Sequence, residues 1–170
     1  TASIIAGLLA GVKNSDIKSA LINYIGVKRR FTHIGKVNLS NIYDDYAHHP
    51  TEILATLKGA KQVNKNIIVV FQPHRYSRTK ILFNEFVNVL SKINRLYLLE
   101  TYSAGEKKIK GFETKDIYNK LKKLKKDVVY VTNNNLNKVV FKDTYRRNII
   151  IFMGAGSISK IASNFVKIDE

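Results

Sequence analysis

Along most of the chain, short uninterrupted apolar runs alternate with longer stretches in which apolar residues return every three or four positions. This is the pattern of buried strands joined by amphipathic helices. The first residues differ, and two short helices are predicted there. One covers 2–9; the other opens at Asn14-Ser15-Asp16, whose polar side chains can cap it, and runs to about Tyr24 before Gly26 ends it. From Arg30 the pattern predicts an extended stretch over 32–39, strands over 41–44, 66–72, 95–101, 128–131 and 148–153, and helices over 50–62, 79–92, 114–124, 136–141 and 158–166. Near-continuous apolar strands linked by helices predict an α/β fold. The form expected is a doubly wound, Rossmann-like, mostly parallel sheet with helices on both faces, preceded by two short helices.

In such sheets ligands gather at the carboxyl ends of the strands, so the residues following each apolar run are the ones to read for chemistry. Asp44-Asp45-Tyr46-Ala47-His48-His49-Pro50 follows the first strand and leads into a helix with Glu52 in its first turn. Free N–H groups at that helix start can meet an anion, the imidazoles can add donors or carry a proton, and a strand-end aspartate can accept from ribose hydroxyls. The plainer alternative is that His49 caps the helix and Asp44 satisfies loop amides. Adjacent histidines converge poorly on one ion, so no metal site is predicted.

Pro73 to Arg78 places His74, Arg75 and Arg78 within six residues, a set able to grip a carboxylate or phosphate. An ion pair from Arg75 or Arg78 to Asp45 or Glu100 is the bland alternative. Arg29-Arg30-Phe31 lies where the helical segment hands over to the α/β pattern, and an arginine there can reach a phosphate on a neighbouring domain. Gly154-Ala155-Gly156 has Ser159 where a dinucleotide fingerprint has its third glycine, and no acidic ribose reader can follow about 20 residues on. It reads as a tight turn that lets backbone approach a ligand or another domain. Nowhere does Gly-x-x-x-x-Gly-Lys-Ser/Thr occur, so the chain has no P-loop.

Composition changes this picture little. The 170 residues suffice for one domain, and the absence of cysteine excludes disulfides, thiolate metal sites and cysteine nucleophiles. The apolar runs are too short to span a membrane, no signal peptide is evident, and the chain does not begin with Met, which points to a piece of a longer cytoplasmic protein. A net charge of +16 raises nucleic-acid binding. Yet 22 of the 29 basic residues are lysines scattered among many Asn and Ile, and the run over 120–126 has Leu121 and Leu124 at helical spacing. That is a solvated helix face, so no specific nucleic-acid partner is expected.

The stretches GVKRRF (26–31), DDYAHHPTEI (44–53), FQPHRYSRT (71–79), ETYSAGEK (100–107) and MGAGSISKIA (153–162) together resemble the ATP-dependent Mur ligases of peptidoglycan synthesis. Among these, the resemblance is to the members that join L-alanine to UDP-N-acetylmuramate. Members that recycle murein tripeptide are similar at DDYAHHP but typically differ at FQPHRYSR. The resemblance implies that 1–27 is the tail of a central ATPase domain and 28–170 the C-terminal Rossmann-like domain. The P-loop, most of the magnesium binding and a UDP-binding domain would belong to upstream domains of the same enzyme. It further implies that ATP phosphorylates UDP-N-acetylmuramate to an acyl phosphate, which the amine of L-alanine attacks. By motif, Arg30 would reach ATP phosphates, Asp45 the ribose and Tyr46 the nucleotide or the substrate junction. His48 and His49 would face the phosphoryl group, and His74, Arg75 and Arg78 would hold the L-alanine carboxylate. This segment alone would be inactive. A free-standing basic module that binds nucleotide or nucleic acid is the reading outside the family.

Overall fold

In a computed structural model, residues 2–24, 26–124 and 126–169 are described. Helices α1 (Ala2–Leu9) and α2 (Asn14–Ile22) come first, and neither buries a residue. The polar cap expected at the start of α2 is not used: Lys13 holds the cap position without a side-chain bond, and Asn14 is already helical. The helix ends before Tyr24 because Asn23 bonds back to the Ser19 carbonyl through its own side chain.

The remaining chain builds one six-stranded sheet. Its strands are β1 (Thr32–Val37), β2 (Ser40–Asp45), β3 (Ile67–Phe71), β4 (Arg95–Leu99), β5 (Val128–Val131) and β6 (Ile149–Met153). They lie in the order β1-β2-β6-β3-β4-β5, parallel throughout except that β1 pairs antiparallel with β2. The extended stretch over 32–39 is therefore the outer arm of a hairpin, turned at Asn38 with φ 48°. Asparagine tolerates that left-handed conformation better than most residues.

Strand alternation sorts side chains to two cores. Val69, Phe71, Leu96, Leu98, Ile149, Ile151 and Met153 point to one face, where α3 (Pro50–Val63), α5 (Phe83–Leu90) and α6 (Thr114–Lys123) cover them. Ile68, Val70, Tyr97, Leu99, Ile150 and Phe152 point to the other, under α7 (Leu136–Val140) and α8 (Ile158–Val166). Both faces are covered, so the strands read as unbroken apolar runs rather than alternating ones.

The helix expected over 79–92 is two pieces, α4 (Tyr76–Ile81) and α5, interrupted at Leu82. It begins three residues earlier than its apolar pattern, which puts Arg78 on a helix instead of in a loop. Strand β4 stops at Leu99, leaving Glu100 and Thr101 on the rim. Helix α8, after β6, packs on one face, whereas α3 and α5, after β2 and β3, pack on the other. The loops leaving β2, β6 and β3 therefore part at a topological switch point, where open α/β sheets carry their sites.

Candidate functional site

The loop after β2 is braced from below by Asp45, which is 2 % exposed. Its Oδ2 accepts from the Phe31 N–H at 2.7 Å, and its Oδ1 accepts from the Ala47 N–H at 2.7 Å and the Thr56 hydroxyl at 3.3 Å. Burial raises its pKa above the ordinary carboxylate value, and these donors together with the Arg30 charge hold the rise down. The loop amides thus belong to Asp45. Asp44, the residue expected to hold them in the plainer reading, instead accepts from the Ser159 hydroxyl at 2.6 Å and lies 3.5 Å from Arg29 Nε.

His49 caps α3, its Nδ1 accepting from the Thr51 N–H at 3.4 Å. Glu52 answers by accepting from the amides of His48 and His49 at 3.0 and 3.2 Å. Desolvation raises the Glu52 pKa, but those amides and the charges of His48 and Arg30 outweigh it and hold it below the usual value. His48 Nδ1 lies 2.9 Å from the Tyr46 carbonyl and 3.3 Å from Glu52. Both partners can only accept, so Nδ1 carries the ring proton and Nε2 is left as the basic nitrogen.

The loop after β3 is tied to the loop after β4 as a continuation of the parallel ladder: Arg75 N–H donates to the Tyr102 carbonyl and Tyr102 N–H to that of Pro73. Arg75 is held at φ 72°, outside the usual range for a side-chain-bearing residue, and its side chain is exposed. Glu106 accepts from both the hydroxyl and the amide of Ser77, at 2.7 and 2.9 Å, which hold its pKa below the usual value. Arg78 reaches back to His74, with Nη1 3.2 Å from Nδ1. A guanidinium only donates, so His74 Nδ1 is bare and the ring proton sits on Nε2. Neither Arg75 nor Arg78 pairs with Asp45 or Glu100 among the described residues; Glu100 accepts from Tyr130 at 3.1 Å.

Desolvation, then Arg78, His48 and Arg75, push the His74 pKa below its ordinary 6.5, against a smaller pull from Glu106. An NMR titration of the imidazoles is therefore expected to give His74 a midpoint below 6.5, as the Nε2–H tautomer, moving up in Arg78→Gln. Below 6.5 the unfolded chain binds the proton more readily, so this ring removes stability as pH falls from 6.5 towards the folded midpoint. A midpoint above 6.5 would contradict the arrangement.

Together these loops form a row across the rim. The Arg30 guanidinium lies 5.7 Å from the Tyr46 ring, Tyr46 is 5.1 Å from His48, His48 is 5.9 Å from His74, and Arg78 follows. Tyr102 stacks on His74 at 5.5 Å. At the Arg30 end a shallow groove of about 390 Å³ is lined by Arg30, Phe31, Asp45, Glu52 and Thr56. Among the described residues no three His, Asp or Glu side chains converge as a metal site.

The profile of the family described as "Mur ligase, glutamate ligase domain" matches residues 29–156. The chain belongs to the Mur ligase family. It is 41% identical over 168 residues to a UDP-N-acetylmuramate–L-alanine ligase of Lachnospira eligens, covering 98% of this chain but 37% of that protein. Among solved structures it is similar to the UDP-N-acetylmuramate–alanine ligase of Thermotoga maritima, at 29% identity and a TM-score of 0.79 over 97% of this chain and 35% of that one. A murein peptide ligase of Psychrobacter arcticus shares the fold, with a TM-score of 0.67 at 22% identity over 88% of this chain and 31% of that one.

Within this Mur ligase segment the glycine turn serves the protein's own packing. A Cβ on Gly154 would lie 2.7 Å from the Gln72 carbonyl, and one on Gly156 would lie 2.5 Å from Tyr102 Cγ. At both glycines the close approach within this segment is made by the loops after β3 and β4. Gln72, given no role in the sequence reading, joins the two strand ends, accepting from the Ile158 N–H at 3.1 Å and donating to the Ser157 hydroxyl at 3.2 Å. Glu106 was equally silent, since a capping residue 29 positions away leaves no local signal. Glu52 was readable from its place three residues after the cap.

Proposed function

We propose that this chain is the C-terminal part of an ATP-dependent ligase of peptidoglycan synthesis that joins L-alanine to UDP-N-acetylmuramate. The observation that carries the reading is the row Arg30, Tyr46, His48, His74, Arg78, which presents cations and imidazoles along one strand-end rim. The 41% identity to a ligase of that name supports the choice of substrates. In the reaction, the γ-phosphoryl group of ATP passes to the muramate carboxylate, giving an acyl phosphate and ADP. The L-alanine nitrogen then attacks the acyl carbon, the C–N bond forms, and phosphate leaves.

On this reading Arg30 offsets charge on the ATP phosphates, Tyr46 borders the nucleotide beside it, and Asp45 lines the groove that would take the ribose. Asp45 Oδ2 has one internal donor and so a further lone pair for a ribose hydroxyl. His48 and His49 face the phosphoryl group, and His48 Nε2 suits uptake of the proton that the attacking amine gives up. His74, Arg75 and Arg78 hold the L-alanine carboxylate, which aims its nitrogen. Magnesium would be held mainly by the upstream domains, as the resemblance implies. The tail over 1–27 would complete a central ATPase domain; α1 and α2 leave Leu9 84% and Ile22 74% exposed, as suits helices that pack on a further domain. Among the described residues no helix is long and apolar enough to cross a membrane, and a cytoplasmic setting is proposed with the reaction.

Phosphate release by the longer protein is expected to require ATP, UDP-N-acetylmuramate and L-alanine together, while residues 1–170 alone give no turnover and only millimolar-range ATP affinity. Micromolar ATP binding by 1–170 in calorimetry would favour a self-contained nucleotide module instead.

A further inference from the structure

We propose that Arg29, braced by Asp44 and Ser159, is a positioning residue that sets Tyr46 and the turn carrying Arg30 for the nucleotide. The inference rests on the ligase reading above and adds Arg29 to it.

The two arginines are neighbours with opposite fates. Arg30 points out, its side chain 53% exposed and 3.9 Å from Glu52. Arg29 points in, where Nη2 donates to the Gly154 carbonyl at 2.7 Å and Nε faces Asp44 at 3.5 Å. Its guanidinium lies 4.7 Å over the Tyr46 ring, and its carbonyl accepts from the Tyr46 N–H at 2.7 Å. One residue thus holds Tyr46 by backbone and by ring, and ties both to the end of β6.

The backbone explains why a brace is needed. Arg29 and Phe31 sit at φ 60° and 47°, a left-handed conformation that is strained for an L-residue and survives only where surrounding contacts impose it. Phe31 is fixed by Asp45, and Arg29 by Gly154, Asp44 and Tyr46. Ser159 completes the set from α8, its hydroxyl donating to Asp44 Oδ2 and so fixing the carboxylate that faces Arg29. Arg30 hangs between the two strained residues, and its direction is decided by them. A lysine at 29 keeps the charge but has no planar fork to reach Gly154 and Asp44 while lying over a ring.

The test uses the full-length ligase, with active enzyme counted by titration so that misfolded protein does not enter the rates. In Arg29→Lys the KM for ATP is expected to rise about tenfold, as misplacement of a binding group by a fraction of an ångström does. The KM for L-alanine should stay within about twofold, because His74, Arg75 and Arg78 are carried by the loop after β3 and by α4. Ser159→Ala should raise the ATP KM about threefold, and adding it to Arg29→Lys should do little more, since both act through Asp44. A lower melting midpoint with an unchanged ATP KM, or equal rises in both KM values, overturns the positioning role and leaves Arg29 a packing residue. Should the Arg29 variants fail to fold, Ser159→Ala decides: an unchanged ATP KM overturns the proposal. Failure of the ligase reading would be separate and visible in the wild type, as phosphate release that does not need L-alanine.

Discussion

On the proposed reading, Arg78→Ala in the full-length ligase is expected to raise the KM for L-alanine roughly 10- to 100-fold, the loss that follows when a charged hydrogen bond to a carboxylate is removed. Arg78 is on the first turns of α4, half-buried, with Nη1 already committed to His74 Nδ1 and 3.3 Å from the His74 carbonyl. That anchorage orients the rest of the fork before a substrate arrives, so little entropy is left to lose on binding. Lysine can replace the charge but not the fork, and Arg78→Lys should recover only part of the affinity. The ATP KM should move little, because Arg30 and Tyr46 belong to another loop. Because the Arg78 charge adds to desolvation in lowering the His74 pKa, Arg78→Ala should shift the His74 titration upward in the same protein. Steady-state kinetics with L-alanine as the varied substrate decide the matter. Unchanged KM and turnover would remove Arg78 from carboxylate recognition.

The largest stability loss is expected at Gly154. Its φ of 152° disfavours any side chain, and a Cβ there would stand 2.7 Å from the Gln72 carbonyl and 3.3 Å from Ile158 Cγ2. The carbonyl is backbone at the end of a central strand and cannot step aside without parting β3 from β6. Gly154→Ala should therefore cost about 3 kcal/mol, from overpacking and strain together, and lower the melting midpoint by about 6 to 12 °C in a domain of this size. Gly156→Ala provides the contrast. Its Cβ would lie 2.5 Å from Tyr102 Cγ and 2.7 Å from Tyr102 Cβ, so the loop after β4 must shift, but Gly156 has no left-handed φ and adds no backbone strain. Stability should fall less there, and the stack of Tyr102 on His74 should be lost instead. Thermal melts of both variants, with the His74 resonance followed in the second, separate the two effects. Equal melting points for Gly154→Ala and the parent would show that the strand ends are not locked as described.

Much of this was readable from the chain. The apolar runs over 66–72 and 148–153 announced buried central strands, and β3 and β6 are fully buried. The residues after these runs come together, since the loops after β2, β3 and β4 meet on one rim. Tyr76 and Ser77 carry no helical periodicity, so the pattern starts this helix three residues late; they are helical because Glu106 caps Ser77 from another loop. Asp44 and Asp45 could not be told apart, since adjacent carboxylates at a strand end look alike until one is seen to face Phe31 and Ala47 and the other Ser159.

Periodicity is a local property: it records which side of a strand or helix meets the core, and so fold class and the position of the rim were determined by sequence alone. Which groups meet on that rim is set by strand order and packing. Only the placing of β6 between β2 and β3 brings Gly154 to Arg29 across 125 residues and Ser159 to Asp44 across 115. Such contacts leave no periodic trace, because a hydrogen bond depends on two atoms lying within about 3 Å in space and carries no rule about their separation along the chain.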